Sequence, residues 1–250
     1  MENPLYTELP DVPESAIIEA WENARVGATR QYGVCSVDRD PLREGRVRAK
    51  GRLVIADAHQ LWRHVLRSLI EGFGSYAVVG EALDGRGLLE HVEATRPDVI
   101  IMDIALPTSD GLRVLRHMAG LSPKPRVIVL SEIEEPEIVR EAFAAGAMGY
   151  VSKCESAAIL RRALVAVRRG FSFLSPSIAR ALLKFLQERT VSRCHRLQVP
   201  IVEIELLKLL AKGYSDRAVA SMLGSSPNIV NFYRLDVLRR LPGTALEWAP

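Results

Sequence analysis

The chain has 250 residues, 48% of them hydrophobic, with a formal net charge of +3, so two domains with real cores are expected and nucleic-acid contact is permitted without being demanded. No apolar run approaches the ~18 residues of a membrane span, and Met1-Glu2-Asn3-Pro4 lacks the basic and apolar regions of a signal peptide. Three widely spaced cysteines, Cys35, Cys154 and Cys194, argue against a disulfide framework and for reduced thiols in a cytoplasmic setting; the lone Cys194-His195 pair makes no zinc site.

Residues 1–50 do not read as a domain. Asp11-Val12-Pro13-Glu14 has capping-box spacing and opens a short helix through Ile17, Ile18 and Trp21. One amphipathic helix has no core of its own. Arg39, Arg43, Arg46, Arg48, Lys50 and Arg52 follow, interrupted by Asp38, Asp40 and Glu44. The segment reads as a flexible, solvated extension rather than a docking arm. Val47, just ahead of the first strand, is where a GTG codon would place an alternative start.

From Leu53 the pattern is regular. Leu53-Val54-Ile55-Ala56 is a short apolar strand ending at Asp57, and Leu61, Val65, Leu66, Leu69 and Ile70 repeat at helical spacing. Ala77-Val78-Val79-Gly80 is a second strand, and the next helix stops before Pro97. Val99-Ile100-Ile101-Met102 is a third, running straight into Asp103. Val127 to Leu130 is a fourth, ending at Ser131; Gly149-Tyr150-Val151 is a fifth, ending near Lys153. A helix through Leu164 and Val167 closes the unit near Gly170. Strands strictly alternating with helices mean a parallel sheet covered on both faces, and five such units fit an α/β, flavodoxin-like doubly wound domain over residues 51–170.

Asp57, Asp103, Ser131 and Lys153 fall at the carboxyl ends of strands one, three, four and five. Those ends form the ligand crevice of such sheets, so the four side chains converge. Two neighbouring carboxylates repel, and a hard cation such as Mg²⁺ relieves this with oxygen ligands. A cation, Lys153 and the Ser131 hydroxyl together suit the oxygens of a phosphoryl group. Asp103 is then a carboxylate nucleophile that forms an acyl phosphate.

The segments Ile55-Ala56-Asp57, Met102-Asp103-Ile104-Ala105-Leu106-Pro107, Asp110-Gly111-Leu112, Val129-Leu130-Ser131 and Gly149-Tyr150-Val151-Ser152-Lys153 resemble the receiver domain of bacterial response regulators. The resemblance implies phosphorylation of Asp103 by a sensor histidine kinase. It also implies a switch in which Ser131 turns toward the phosphoryl group and Tyr150 repositions. The family normally shows two adjacent acidic residues after strand one, whereas this chain has Asp57-Ala58-His59. Metal coordination then falls to Asp57, Asp103 and the Ala105 backbone carbonyl, and weaker Mg²⁺ binding is predicted. Cys154, next to Lys153, reads as a small loop residue.

Ser175-Pro176 opens a further helix with an apolar stripe through Ile178, Leu182, Leu183, Phe185 and Leu186. It is predicted to be a linker (171–196), with Thr190-Val191-Ser192-Arg193 as a flexible joint. Within a domain at 197–250, residues 200–241 hold three compact helical segments, a small all-α helix-turn-helix pattern: one stopping at Lys212-Gly213, one from Ser215 to Leu223-Gly224, and one from Ser226-Pro227 to Leu241. A fourth, near Ala245, is clipped by Pro242-Gly243. Leu209-Leu210-Ala211-Lys212-Gly213-Tyr214-Ser215-Asp216-Arg217 resembles the LuxR-type DNA-binding domain of NarL/FixJ regulators. Val230-Asn231-Phe232-Tyr233-Arg234 is similar to the BvgA/EvgA branch. Asn228, Asn231, Phe232 and Arg234 are the predicted base readers, and Arg217 and Arg239 the phosphate contacts, of a homodimer on double-stranded DNA.

The leading expectation is a phosphorylation-controlled transcription regulator. Its rivals are a phosphorylation-independent regulator, supported by Ala58, and a protein-binding partner without DNA affinity, supported by Ile229 and Asn231, which depart from the family's pattern. A phosphatase ranks last, because Ala105 stands where a general-acid carboxylate would follow Asp103.

Overall fold

The computed structural model describes residues 50–107, 110–192, 201–222 and 225–240. The capping box at Asp11, Cys35, the start at Val47, Arg193, the Cys194-His195 pair, the Leu223-Gly224 stop and the segment from Leu241 onward lie outside the described residues.

Six strands form one parallel sheet: β1 (Gly51–Ala56), β2 (Tyr76–Ala82), β3 (Val99–Met102), β4 (Arg126–Ser131), β5 (Gly149–Ser152) and β6 (Phe173–Leu174), in the order β2-β1-β3-β4-β5-β6. Between them run α1 (Gln60–Gly72), α2 (Gly85–Thr95), α3 (Gly111–Ala119), α4 (Pro136–Ala144) and α5 (Ala157–Arg168). The doubly wound α/β class holds. Alternate residues of each strand face opposite layers, as a period of two requires. Leu53, Ile55, Ile101, Ile128 and Val151 pack with Leu66 and Ile70 of α1 and Leu160, Leu164 and Val167 of α5. Val54, Ile100, Met102, Val129 and Tyr150 pack with Leu88 of α2, Leu115 of α3 and Val139 of α4.

One element departs from expectation. The predicted sheet has five strands, and the observed one has a sixth, β6. The Phe173 N–H donates to the Met148 carbonyl (2.8 Å) and the Ser175 N–H to the Tyr150 carbonyl (3.0 Å). Two apolar residues are too short to show a period of two.

The chain continues through α6 (Pro176–Ser192), α7 (Ile201–Ala211), α8 (Asp216–Met222) and α9 (Pro227–Arg240). Ile178, Ala179, Leu182 and Leu183 of α6 are buried in the same cluster as Leu206 and Leu207 of α7 and Val230, Tyr233 and Val237 of α9. That cluster is continuous with the one behind α4. The α6 helix is therefore a packed element rather than a bare connector, and it includes Thr190, Val191 and Ser192, predicted to be a joint. Gly213 ends α7 with a left-handed φ of 84°, and the Tyr214 N–H returns to the Leu209 carbonyl (3.2 Å). No helix among the described residues is long and apolar enough to cross a membrane.

Candidate functional site

The strands end in step. Ala56 pairs with Met102, Met102 with Val129, and Ser131 with Ser152. Asp57, Asp103 and Lys153 stand one residue beyond their strands. Backbone bonds fix them there: the Asp103 N–H donates to the Ala56 carbonyl (2.9 Å) and the Lys153 N–H to the Ser131 carbonyl (2.9 Å). The predicted four side chains do meet at this edge, and all four are buried.

Lys153 Nζ lies 2.6 Å from both Asp57 Oδ2 and Asp103 Oδ2. Asp103 Oδ1 accepts from the Ser131 hydroxyl (2.7 Å) and the Ala105 N–H (3.0 Å). Asp57 Oδ1 accepts from the His59 N–H (2.8 Å). Each carboxylate oxygen thus has a donor. Burial alone raises the Asp103 carboxyl, but the Lys153, Ser131 and Ala105 hydrogen bonds outweigh it and hold the group below its ordinary value. Burial alone lowers the Lys153 ammonium, but its bonds to Asp103 and Asp57 hold it above its ordinary value. The Tyr150 ring is fully buried, its hydroxyl donates to the Ile133 carbonyl (2.8 Å), and burial pushes the phenol up.

Two carboxylates that converge on one ammonium define a position where a cation is already held. The Asp57 and Asp103 carboxylate oxygens, with the Ala105 carbonyl, are the donors that could hold a hard divalent ion there. Among the described residues no cluster of three His, Cys, Asp or Glu side chains exists. Ala58 is exposed and adds no ligand.

Three local features shape the edge. An added Cβ on Gly111 would lie 2.2 Å from the Ile104 carbonyl oxygen, so the chain after Asp103 turns tightly enough to need a glycine. Asp110 caps α3 through the Leu112 N–H (3.0 Å). Two neighbours were not foreseen: Lys153 Nζ sits 5.4 Å from the Trp62 ring centroid, and Arg63 donates to the Asp57 carbonyl (2.8 Å) and the Ala58 carbonyl (3.2 Å). The helical spacing of α1 marked its core face, but not which side chains reach the pocket.

The predicted DNA contacts divide. Arg217, Asn228 and Arg239 are exposed, and Phe232 is half-buried, its ring edge-on to Tyr233. Asn231 and Arg234 face the sheet domain. Asn231 Oδ1 accepts from the Ser172 N–H (2.7 Å) and hydroxyl (2.6 Å). Arg234 is 1% exposed; it donates to the Ser172 carbonyl and pairs with Asp216. Arg162 of α5 donates to the carbonyls of Gly213 (2.9 Å) and Tyr214 (3.1 Å), and Arg180 of α6 to that of Ala211 (2.9 Å). In this arrangement two of the four predicted base readers are occupied inside the molecule.

A doubly wound parallel sheet with two aspartates, a serine and a lysine at one edge is the architecture of a receiver. The family model of the response regulator receiver domain matches residues 53–165. The chain is 30% identical to transcriptional regulatory protein YdfI of Bacillus subtilis, over 76% of this chain and 89% of that one. It is 32% identical to a probable transcriptional regulatory protein NarL of Mycobacterium tuberculosis, over 72% and 83%. RcsB of Salmonella enterica serovar Typhimurium, bound to a promoter in the presence of a phosphomimetic, superposes with a TM-score of 0.53 at 25% identity, covering 79% and 95%. The chain belongs to the response-regulator family, as a transcription regulator with a receiver and a C-terminal helical domain.

Proposed function

We propose that a sensor histidine kinase phosphorylates Asp103 and that this releases the C-terminal helices to bind DNA as a homodimer in the cytoplasm. The division is a receiver at 51–170, a connecting helix at 171–196 and a DNA-binding domain at 197–250, preceded by an extension at 1–50. The Tyr233-Arg234 pair supports a place near the BvgA/EvgA branch.

A carboxylate oxygen of Asp103 attacks the phosphorus of a phosphoryl group held on a histidine nitrogen. The P–N bond breaks, its electron pair stays on the imidazole, and an acyl phosphate forms. Lys153 and Ser131, already bonded to Asp103, donate to phosphoryl oxygens as charge develops there. When bound at Asp57, Asp103 and the Ala105 carbonyl, Mg²⁺ supplies further charge neutralisation.

The observation that carries the reading is the clasp at Ser172. This residue immediately precedes β6, and β6 pairs with β5, which leads into Lys153. Rearrangement at Asp103 and Lys153 therefore reaches the backbone that Asn231 and Arg234 hold. Once free, Asn228, Asn231, Phe232 and Arg234 read bases while Arg217 and Arg239 contact phosphates. The test is an electrophoretic shift with genomic promoter fragments at fixed salt, with and without a phosphoryl donor. The donor is expected to tighten binding by the wild type and to leave Asp103→Asn unchanged. Equal response of both proteins would overturn the reading.

A second reading has one specific support. Lys153 already bridges both carboxylates, and Ala58 removes a ligand, as in a receiver that works without phosphorylation. Donor-independent DNA binding, with unchanged promoter output in Asp103→Asn, favours it.

A further inference from the structure

A cavity of about 610 Å³ lies between α5 and the C-terminal helices, lined by Arg161, Arg162, Arg169, Arg217, Val165 and Phe171 among others. Its one carboxylate, Asp216, is engaged by Arg234. Arg162 is engaged by the Gly213 and Tyr214 carbonyls. The guanidinium groups of Arg161, Arg169 and Arg217 have no carboxylate or hydrogen-bond partner among the described residues, and Val165 is an exposed apolar side chain, 46% accessible. The site is cationic with an apolar wall, and its acidic counterpart is missing.

Residues 1–24 have the complementary chemistry. They carry Glu2, Glu8, Asp11, Glu14, Glu19 and Glu22 with no Lys, Arg or His, and they interleave Leu9, Val12, Ile17, Ile18 and Trp21. No other acidic stretch free of Lys, Arg and His is as long. The point of entry also fits. The Gly51 N–H donates to the Ser75 carbonyl (3.1 Å), and a Cβ on Gly51 would meet the Tyr76 ring at 2.7 Å. The Arg168 guanidinium stacks on that ring, 5.7 Å from its centroid. A narrow cleft lined by Phe73, Tyr76 and Arg168 shares Arg161 and Val165 with the large cavity. A path therefore leads from Lys50 into it. The 25 residues between Ala24 and Lys50 span roughly 28 Å as a flexible chain, several times the width of a cleft.

We propose that the acidic, apolar segment 1–24 docks in cis into this arginine-lined cavity between the receiver and the C-terminal helices. Docking there replaces the solvated extension expected from the sequence with a seated one. Covalent linkage makes the segment's effective concentration millimolar, so weak contacts suffice. A segment seated there touches α5 on one side and Arg217 on the other, and it fastens the closed arrangement. The inference rests on that arrangement and is independent of phosphorylation and of DNA binding.

The test uses the full chain with a benzophenone amino acid at position 165. Irradiation is expected to yield a monomer-sized product in which peptide mapping joins residues 1–25 to α5. The cross-link is expected to be lost in 0.5 M salt, as roughly 4 Å screening requires, and in Arg161→Glu/Arg169→Glu. Adding Glu14→Lys/Glu19→Lys to that variant is expected to restore it, which also shows that the variant folds. Cross-links only between two copies, only to other segments, or unaffected by the arginine substitutions would overturn the proposal. So would loss without rescue by the charge swap.

Discussion

Lys153 is one cation shared by two buried carboxylates, and its surroundings set two pH limits. Asp103 is held below its ordinary 3.8, so its contribution to stability is present above that value and is lost as pH falls through the folded one. Lys153 is held above its ordinary 10.5, so its contribution is present below that value and is lost as pH rises through the folded one. The contribution of this pair to the urea midpoint is expected to be constant between these limits, and Asp103→Asn to remove its part of the acid limb; an unchanged acid limb in that variant would contradict the assignment. Ala58 stands where the family's pattern has a second acidic residue. Ala58→Asp is expected to tighten Mg²⁺ binding by about tenfold, roughly 1.4 kcal/mol. Quenching of Trp62, whose ring faces Lys153, is the measurement, and equal midpoints for both proteins would sink this account.

At the scale of elements, the strand ends were legible because each apolar run stops at a chemical side chain. Asp57, Asp103, Ser131 and Lys153 follow from punctuation alone, and the observed register brings them together. The sixth strand was not legible, since Phe173-Leu174 carries no periodicity. Nor was the burial of Arg234. A basic residue near Arg239 and Arg240 reads as a base contact, and its partner Ser172 lies 62 positions away. The α6 stripe was legible as apolar, but its matching surface on α7 becomes visible only in three dimensions. The turn after Asp103 depends on one glycine. Gly111→Ala is expected to cost about 1–3 kcal/mol in urea denaturation and to slow phosphoryl transfer, because backbone must shift to admit the Cβ. A variant as stable and as fast as the wild type would show that the Ile104–Gly111 contact relaxes freely.

Across the whole molecule, one core runs from the face behind α4 through α6 to α9, so the two halves meet through a packed surface as well as a few polar clasps. Arg162 belongs to the clasps and not to the predicted DNA face. Arg162→Ala is expected to raise donor-independent DNA affinity by up to about fivefold, since two half-exposed, charge-assisted bonds contribute roughly 1 kcal/mol. An electrophoretic shift at fixed salt measures it, and unchanged affinity would remove Arg162 from the clasp. The contacts at Ser172 carry a consequence for gene expression. Apparent affinity is the intrinsic one scaled by the fraction of molecules open. If release of this clasp frees the C-terminal helices as proposed, background transcription and the stimulus at which promoters fill are set in part by Ser172 and Arg162, which never touch a base. Each 1.4 kcal/mol added to the clasp moves that threshold about tenfold. Sensitivity can then drift alone at Ser172 and Arg162 and sequence preference alone at Asn228 and Phe232, whereas Asn231 and Arg234, which hold the clasp and read bases, tie the two together.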